Sequence, residues 1–285
     1  MAQYADSAHR PALRRAFSPH RRTASPLGLR LMEHAAVRTR RVLAAFCLTL
    51  HEHPTRKAPS IMWFTDFYRT AVGKKALMAI TGIVLYFYVL AHMLGNLKYF
   101  EGEEKLNAYA DGLRHLGEPF LPYTGALWIV RVILALALGV HIAATIQLTI
   151  KNWKARPTVY LNQVPQASTF ASRTMRWTGG IILVFIIFHL LHLTFGSVGL
   201  PYEPHDVYYN VRTGFENEWV ALIYILAQIA LGLHLYHGVW SLFQSLGWNH
   251  PRYNHWRRYL AWVSAFVIAG GNILIPLVVL LRKYS

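Results

Sequence analysis

The run from Met175 to Gly196, M-R-W-T-G-G-I-I-L-V-F-I-I-F-H-L-L-H-L-T-F-G, constrains this chain more than any other stretch. A helix needs about 20 predominantly apolar residues to cross the hydrocarbon of a bilayer, and this run has that length and character. Lipid offers no partner to a backbone N–H or C=O, so such a segment is expected to be helical. Two of its interior residues, His189 and His192, sit poorly with that surrounding. Imidazole in hydrocarbon is unfavourable unless it is paired, which makes both histidines candidates for function.

Four further blocks share the pattern. The apolar runs predict spans near residues 76–96, 125–149, 177–198, 219–243 and 259–281, an all-α membrane protein of five transmembrane helices. Trp128, Trp177, Trp219, Trp240 and Trp262 lie toward the ends of these runs, where interfacial anchors belong. One cysteine, Cys47, rules out an internal disulfide, a C-x-x-C-H attachment of covalent haem, and a cysteine-held iron–sulfur cluster within the chain. A metal here rests on histidine, carboxylate or main-chain ligands.

Residues 1–61 hold 11 of the 29 Lys and Arg residues and are rich in Pro, Ser and His. Their only apolar patch, Val42 to Leu50, is too short to span. They read as a basic, disordered extension, or as sequence upstream of a true start at Met62, with the membrane domain running over residues 62–285. From Met62 the stretch W-F-T-D-F-Y-R-T-A-V-G-K-K is an amphipathic lead-in suited to a membrane surface. Basic residues then mark alternate loops: Arg69, Lys74 and Lys75; Lys151, Lys154, Arg156, Arg173 and Arg176; Arg252, Arg257 and Arg258. The other two loops are acidic on balance, so the positive-inside rule predicts a cytoplasmic N-terminus and an outer C-terminus.

Each of the first four spans carries an interior histidine: His92, His141, His189 with His192, and His234 with His237. Polar side chains commonly link membrane helices, but four helices sharing one residue type point to a common ligand. At about 1.5 Å per residue from the basic face, His92 lies roughly 24 Å deep, His189 about 18 Å, His141 about 12 Å and His234 about 13 Å. That is an outer pair and an inner pair, the arrangement two bis-histidine haems stacked across a membrane require. A zinc site would gather three or four ligands at one depth, and a proton relay would place carboxylates in the spans.

In H-L-L-H and H-L-Y-H both histidines lie on one helix face, so either of each doublet can be the ligand. His189 and His234 sit nearer mid-span, which leaves His192 and His237 as haem-propionate or supporting groups. Arg131 and Arg176 are candidates for the propionates of the outer and inner haem.

The segment from Trp63 onward resembles the single-chain, five-helix, dihaem cytochrome b subunit of succinate dehydrogenases and fumarate reductases, the complex II family. The motifs are T-G-I-V, H-M-L-G-N, G-V-H-I-A, S-R-T-M-R-W-T-G-G-I-I-L-V-F-I-I-F-H and H-L-Y-H-G-V-W-S-L-F. The resemblance implies that the first four helices form a bundle around two non-covalent haem b groups. It makes His92 and His189 iron ligands of the outer haem, and His141 and His234 ligands of the inner one. It further implies a flavoprotein and an iron–sulfur subunit as partners, quinone as substrate, and the inner membrane of a prokaryote as location. Neither a dicarboxylate site in this chain nor nucleic acid enters that picture. Quinone reduction consumes protons, and Glu118, in G-E-P-F-L-P-Y, is the candidate for that site, with Tyr123 and Asp111 behind it. The competing expectations are a cytochrome b of a hydrogenase or nitrate reductase, and a haem-free anchor or transporter whose histidines only link helices.

Overall fold

A computed structural model describes residues 62–155 and 170–285, so the expected extension over 1–61 lies outside the described residues. The lead-in forms α1 (Met62–Arg69). Thr70 then caps α2 (Ala71–Asn96), its hydroxyl accepting from the Gly73 N–H at 2.9 Å. A 3₁₀ turn (Leu97–Glu101) leads to α3 (Glu103–Arg114), followed by α4 (Gly125–Lys154) and α5 (Phe170–His189). After α5 come α6 (Val207–Glu216), α7 (Glu218–Ser245), a short turn over Pro251–Tyr253, and α8 (Asn254–Tyr284).

Five helical segments are long and apolar enough to cross a membrane: Ala71–Glu101, Gly125–Lys154, Arg173–Thr194, Glu218–Ser245 and Pro251–Tyr284. They contain the predicted runs, except that the third ends at Thr194 and not near 198. The reason is local. Beyond His189 the chain passes into a π turn over Leu190–Thr194, and Gly196, at φ +61°, takes the left-handed conformation that ends it. Large apolar side chains face outward, with Leu136, Val184 and Phe266 66%, 69% and 79% exposed. So broad an apolar exterior belongs in lipid.

Side by side, α2 packs on α4, α5 on α7, and α7 on α8, while α2 also touches α7 and α8. Small residues permit the closest of these approaches. A Cβ on Gly271 would stand 2.7 Å from the Met93 sulfur, and one on Gly232 would stand 3.2 Å from Ala269 Cβ. Met93 itself is buried against Leu235, Ala265 and Ile268. Diagonally, α2 with α5 and α4 with α7, there is no extensive backbone packing. The acidic loops fold as α3 and α6, pinned together by Asn107, which donates to Asp206 Oδ1 at 2.9 Å and accepts from the Tyr208 N–H at 3.1 Å.

Candidate functional site

Histidine rings reach across the two diagonals that the backbones leave open. His92 of α2 meets His189 of α5 with ring centroids 5.8 Å apart, and His141 of α4 meets His234 of α7 at 6.4 Å. An imidazole nitrogen bonds a first-row metal at about 2 Å, and the ring centroid lies about 1 Å beyond, so two imidazoles on opposite sides of one ion have centroids roughly 6 Å apart. Both pairs have that spacing, and the donor set is neutral imidazole on each side. The residues present therefore fit two bis-histidine metal centres. Among the described residues no group of three or more His, Cys, Asp or Glu could hold a metal ion by itself.

The inner pair has matched supports. His141 Nδ1 lies 3.1 Å from the Met78 carbonyl oxygen and 3.2 Å from Thr81 Oγ1. A carbonyl only accepts, so Nδ1 carries the hydrogen and Nε2 keeps its lone pair for another partner. Thr81 donates its own hydrogen back to the Leu77 carbonyl at 2.8 Å, leaving Oγ1 as acceptor. On the other half, His234 Nδ1 lies 3.4 Å from Thr178 Oγ1, whose hydrogen goes to the Met175 carbonyl at 3.0 Å. Directly after each threonine stands a glycine facing the same ring: a Cβ on Gly82 would be 3.5 Å from His141 Cε1, and one on Gly179 3.4 Å from His234 Cε1.

The two supports are one motif used twice, M-A-I-T-G at 78–82 and M-R-W-T-G at 175–179. Reading the chain by its histidines alone passes over Thr81 and Thr178. The repeat of M-x-x-T-G was the available signal.

The outer pair is supported differently. Tyr224 of α7 places its hydroxyl 3.2 Å from His189 Nδ1 and 2.9 Å from His192 Nδ1. A hydroxyl has one hydrogen, so it donates to one ring and accepts from the other. The tyrosine is buried, with Phe185 and Phe215 edge-on at 4.9 and 4.8 Å. His192 is only 3% exposed, and its Nε2 is directed at Gly214 of α6, where a Cβ would come within 2.5 Å. The π turn carries His192 into this position. His92 stacks on Tyr88 with centroids 5.5 Å apart.

The remaining candidates lie apart. His237 packs beside Trp240 and its Nδ1 is buried without a partner. Arg131 stands over Trp128 at 5.0 Å and Arg176 over Trp153 at 5.8 Å. Neither arginine forms an ion pair among the described residues. Among the described residues no hydrogen bond, ion pair or ring contact joins Glu118 or Tyr123 to His92 or His189. Glu118 and Tyr123 gather around His115, a residue the sequence reading did not single out: His115 Nδ1 is 3.1 Å from Glu118 Oε2, its Nε2 is 3.6 Å from Asp111 Oδ2, and its ring is 5.0 Å from Tyr123.

Residues 154–273 match the model of the family described as succinate dehydrogenase/fumarate reductase transmembrane subunit. No curated protein and no solved structure matches the chain. The match takes in the third and fourth spans and most of the fifth, and with them His189, His192, His234 and His237. It supports a membrane subunit of a succinate dehydrogenase or fumarate reductase, an enzyme complex. His92 and His141 precede the matched residues, and their tie to the other two histidines is the ring geometry.

Proposed function

We propose that this chain is the two-haem cytochrome b anchor of a succinate:quinone oxidoreductase, taking electrons from an iron–sulfur subunit and delivering them to quinone. The observation that carries the proposal is the pair of histidine contacts on the open diagonals, at 5.8 and 6.4 Å. His92 and His189 hold one iron, and His141 and His234 the other. Bound haem supplies a one-electron carrier at each position.

The protein's own contribution is orientation. Thr81 with the Met78 carbonyl, and Thr178 opposite, keep hydrogen on Nδ1 of the inner rings and leave Nε2 as the nitrogen that would bond iron. Tyr224 does the same for His189, and passes its own hydrogen to His192. In this reading His192 supports Tyr224 and meets no propionate. Gly82 and Gly179 leave the inner rings room for a flat group alongside.

Reduction of a quinone to a quinol takes two electrons and two protons. At the outer end, His115 lies between Glu118 Oε2 and Asp111 Oδ2, beside the Tyr123 ring. That cluster is the proton source in this reading, at a face open to water. In this reading the opposite end, with the basic loops and the N-terminus, faces the cytoplasm of a prokaryote, as the positive-inside rule favours.

The test is a haem count with a redox titration of the complex purified through this chain. Two b-type couples per chain, with His92→Ala removing one and leaving the other, are expected. A purified chain with no reducible b-type spectrum refutes the proposal in favour of helix-linking histidines. Copurification with a hydrogenase or nitrate reductase, and no flavoprotein, refutes the choice of electron donor.

A further inference from the structure

The stretch joining α7 to α8, L-G-W-N-H-P-R-Y-N-H-W-R-R-Y-L at 246–260, holds three arginines and two histidines and no acidic residue. A cleft of about 570 Å³ opens there, walled by Phe243, Trp248, Tyr253, Trp256 and Leu260, with Arg257 in its lining. Arg257 is 6% exposed. Its Nη2 donates to Asn249 Oδ1 at 3.0 Å and to Asn254 Oδ1 at 2.5 Å, and both acceptors are neutral amides. Its Nε and Nη1 are buried and make no hydrogen bond. Among the described residues no carboxylate pairs with it.

A guanidinium stays charged at any ordinary pH, and a buried cation without a counter-charge is strongly unfavourable. The surrounding stretch contains only basic charges, and none of the described acidic residues pairs with Arg257, so the site suits an anion that binds from outside. The walls indicate its source. Trp248, Tyr253 and Trp256 remain largely exposed at the ends of two spans, in the position of an aromatic belt at headgroup level. Basic pockets between membrane helices take acidic headgroups. A phosphodiester brings both a negative charge and oxygens to accept from Nε and Nη1, which a rotation of the side chain toward the cleft exposes. The acyl chains of the same molecule have Phe243 and Leu260 to lie along. A neutral quinone ring offers no charge, and a partner's carboxylate has no use for the apolar wall.

We propose that the cleft between the ends of α7 and α8 binds the headgroup of an acidic phospholipid, with Arg257 holding its phosphate.

The experiment uses the intact complex, delipidated in neutral detergent, with dioleoylphosphatidylglycerol, dioleoylphosphatidylcholine or inorganic phosphate added. Retained lipid is read by native mass spectrometry and the melting midpoint by thermal scan. Both lipids carry the phosphodiester, but the choline ammonium neutralises it and is repelled by the basic stretch, so roughly tenfold tighter retention of the glycerol lipid than of the choline lipid is expected. Arg257→Met, which removes the unpaired charge at similar volume, is expected to keep lipid-free stability and lose that preference. Asn254→Asp supplies a carboxylate where Arg257 Nη2 already bonds, and is expected to raise lipid-free stability and lose the preference too. It serves as the test if the methionine variant does not assemble.

Three results overturn the proposal. One is a preference erased as fully by Arg258→Gln, an exposed neighbour, which makes the effect one of diffuse surface charge. Another is stabilisation by inorganic phosphate alone equal to that by lipid, which makes the site one for a free anion. The third is an unchanged preference in Arg257→Met with loss of a partner subunit, which assigns Arg257 to that subunit's carboxylate.

Discussion

Replacing Tyr224 with phenylalanine removes one oxygen and leaves the ring in its aromatic packing against Phe185 and Phe215. In the proposed site His189 bonds iron through Nε2, carries hydrogen on Nδ1, and donates it to the tyrosine hydroxyl at 3.2 Å. That donation increases the basicity of the ligand and favours the oxidised metal. Its removal therefore raises the potential of the outer couple. A net hydrogen bond contributes about 1 kcal/mol. At 59 mV and about 1.4 kcal/mol per tenfold change for one electron, a ceiling of about 40 mV follows. The assay is a potentiometric titration of the purified complex, followed at the b-type absorption bands and resolved into two couples. A positive shift of a few tens of millivolts in the outer couple alone is expected. The same variant leaves His189 Nδ1 and His192 Nδ1 without their partner, so stability falls by about 1–3 kcal/mol. A shift confined to the inner couple, or none beyond about 10 mV against that ceiling, refutes the assignment of Tyr224 as partner of a ligating His189.

Thr81→Val and Thr178→Val are expected to raise the inner couple and leave the outer one in place, each by less than the tyrosine change, because His141 keeps the Met78 carbonyl at 3.1 Å and the Thr178 contact is long at 3.4 Å. The same titration checks this. Gly271→Ala puts a Cβ 2.7 Å from the buried Met93 sulfur and is expected to cost about 1–3 kcal/mol by overpacking, read as a lower melting midpoint with both couples retained. His115→Asn and Glu118→Gln are expected to slow quinone reduction while both couples and their reduction by succinate persist. Unchanged turnover in both variants removes this cluster from the proton path.

Much of the architecture was legible before any packing was known. The number of spans follows from apolar run length, since hydrocarbon thickness sets the length a helix needs. Histidine depth is a matter of counting along each helix, and it already sorted His92 with His189 and His141 with His234. The acidic loops were not legible in the same way. They fold as α3 and α6, and the bond that joins these two helices runs between Asn107 and Asp206, 99 residues apart.

What the sequence determined by itself is therefore one-dimensional: five crossings, a histidine in each of the first four, and a basic face opposite an acidic one. The tertiary structure decided everything lateral. It set the paired helices on diagonals, gave Thr81, Thr178 and Tyr224 to the ring nitrogens, and turned His192 away toward Gly214. It also left Arg257 buried without an acid. Run length and depth survive any rotation of a helix about its axis, whereas the partner of a side chain depends on that rotation. Rotation is fixed only when neighbouring helices pack, and at His192 only by the π turn that carries it.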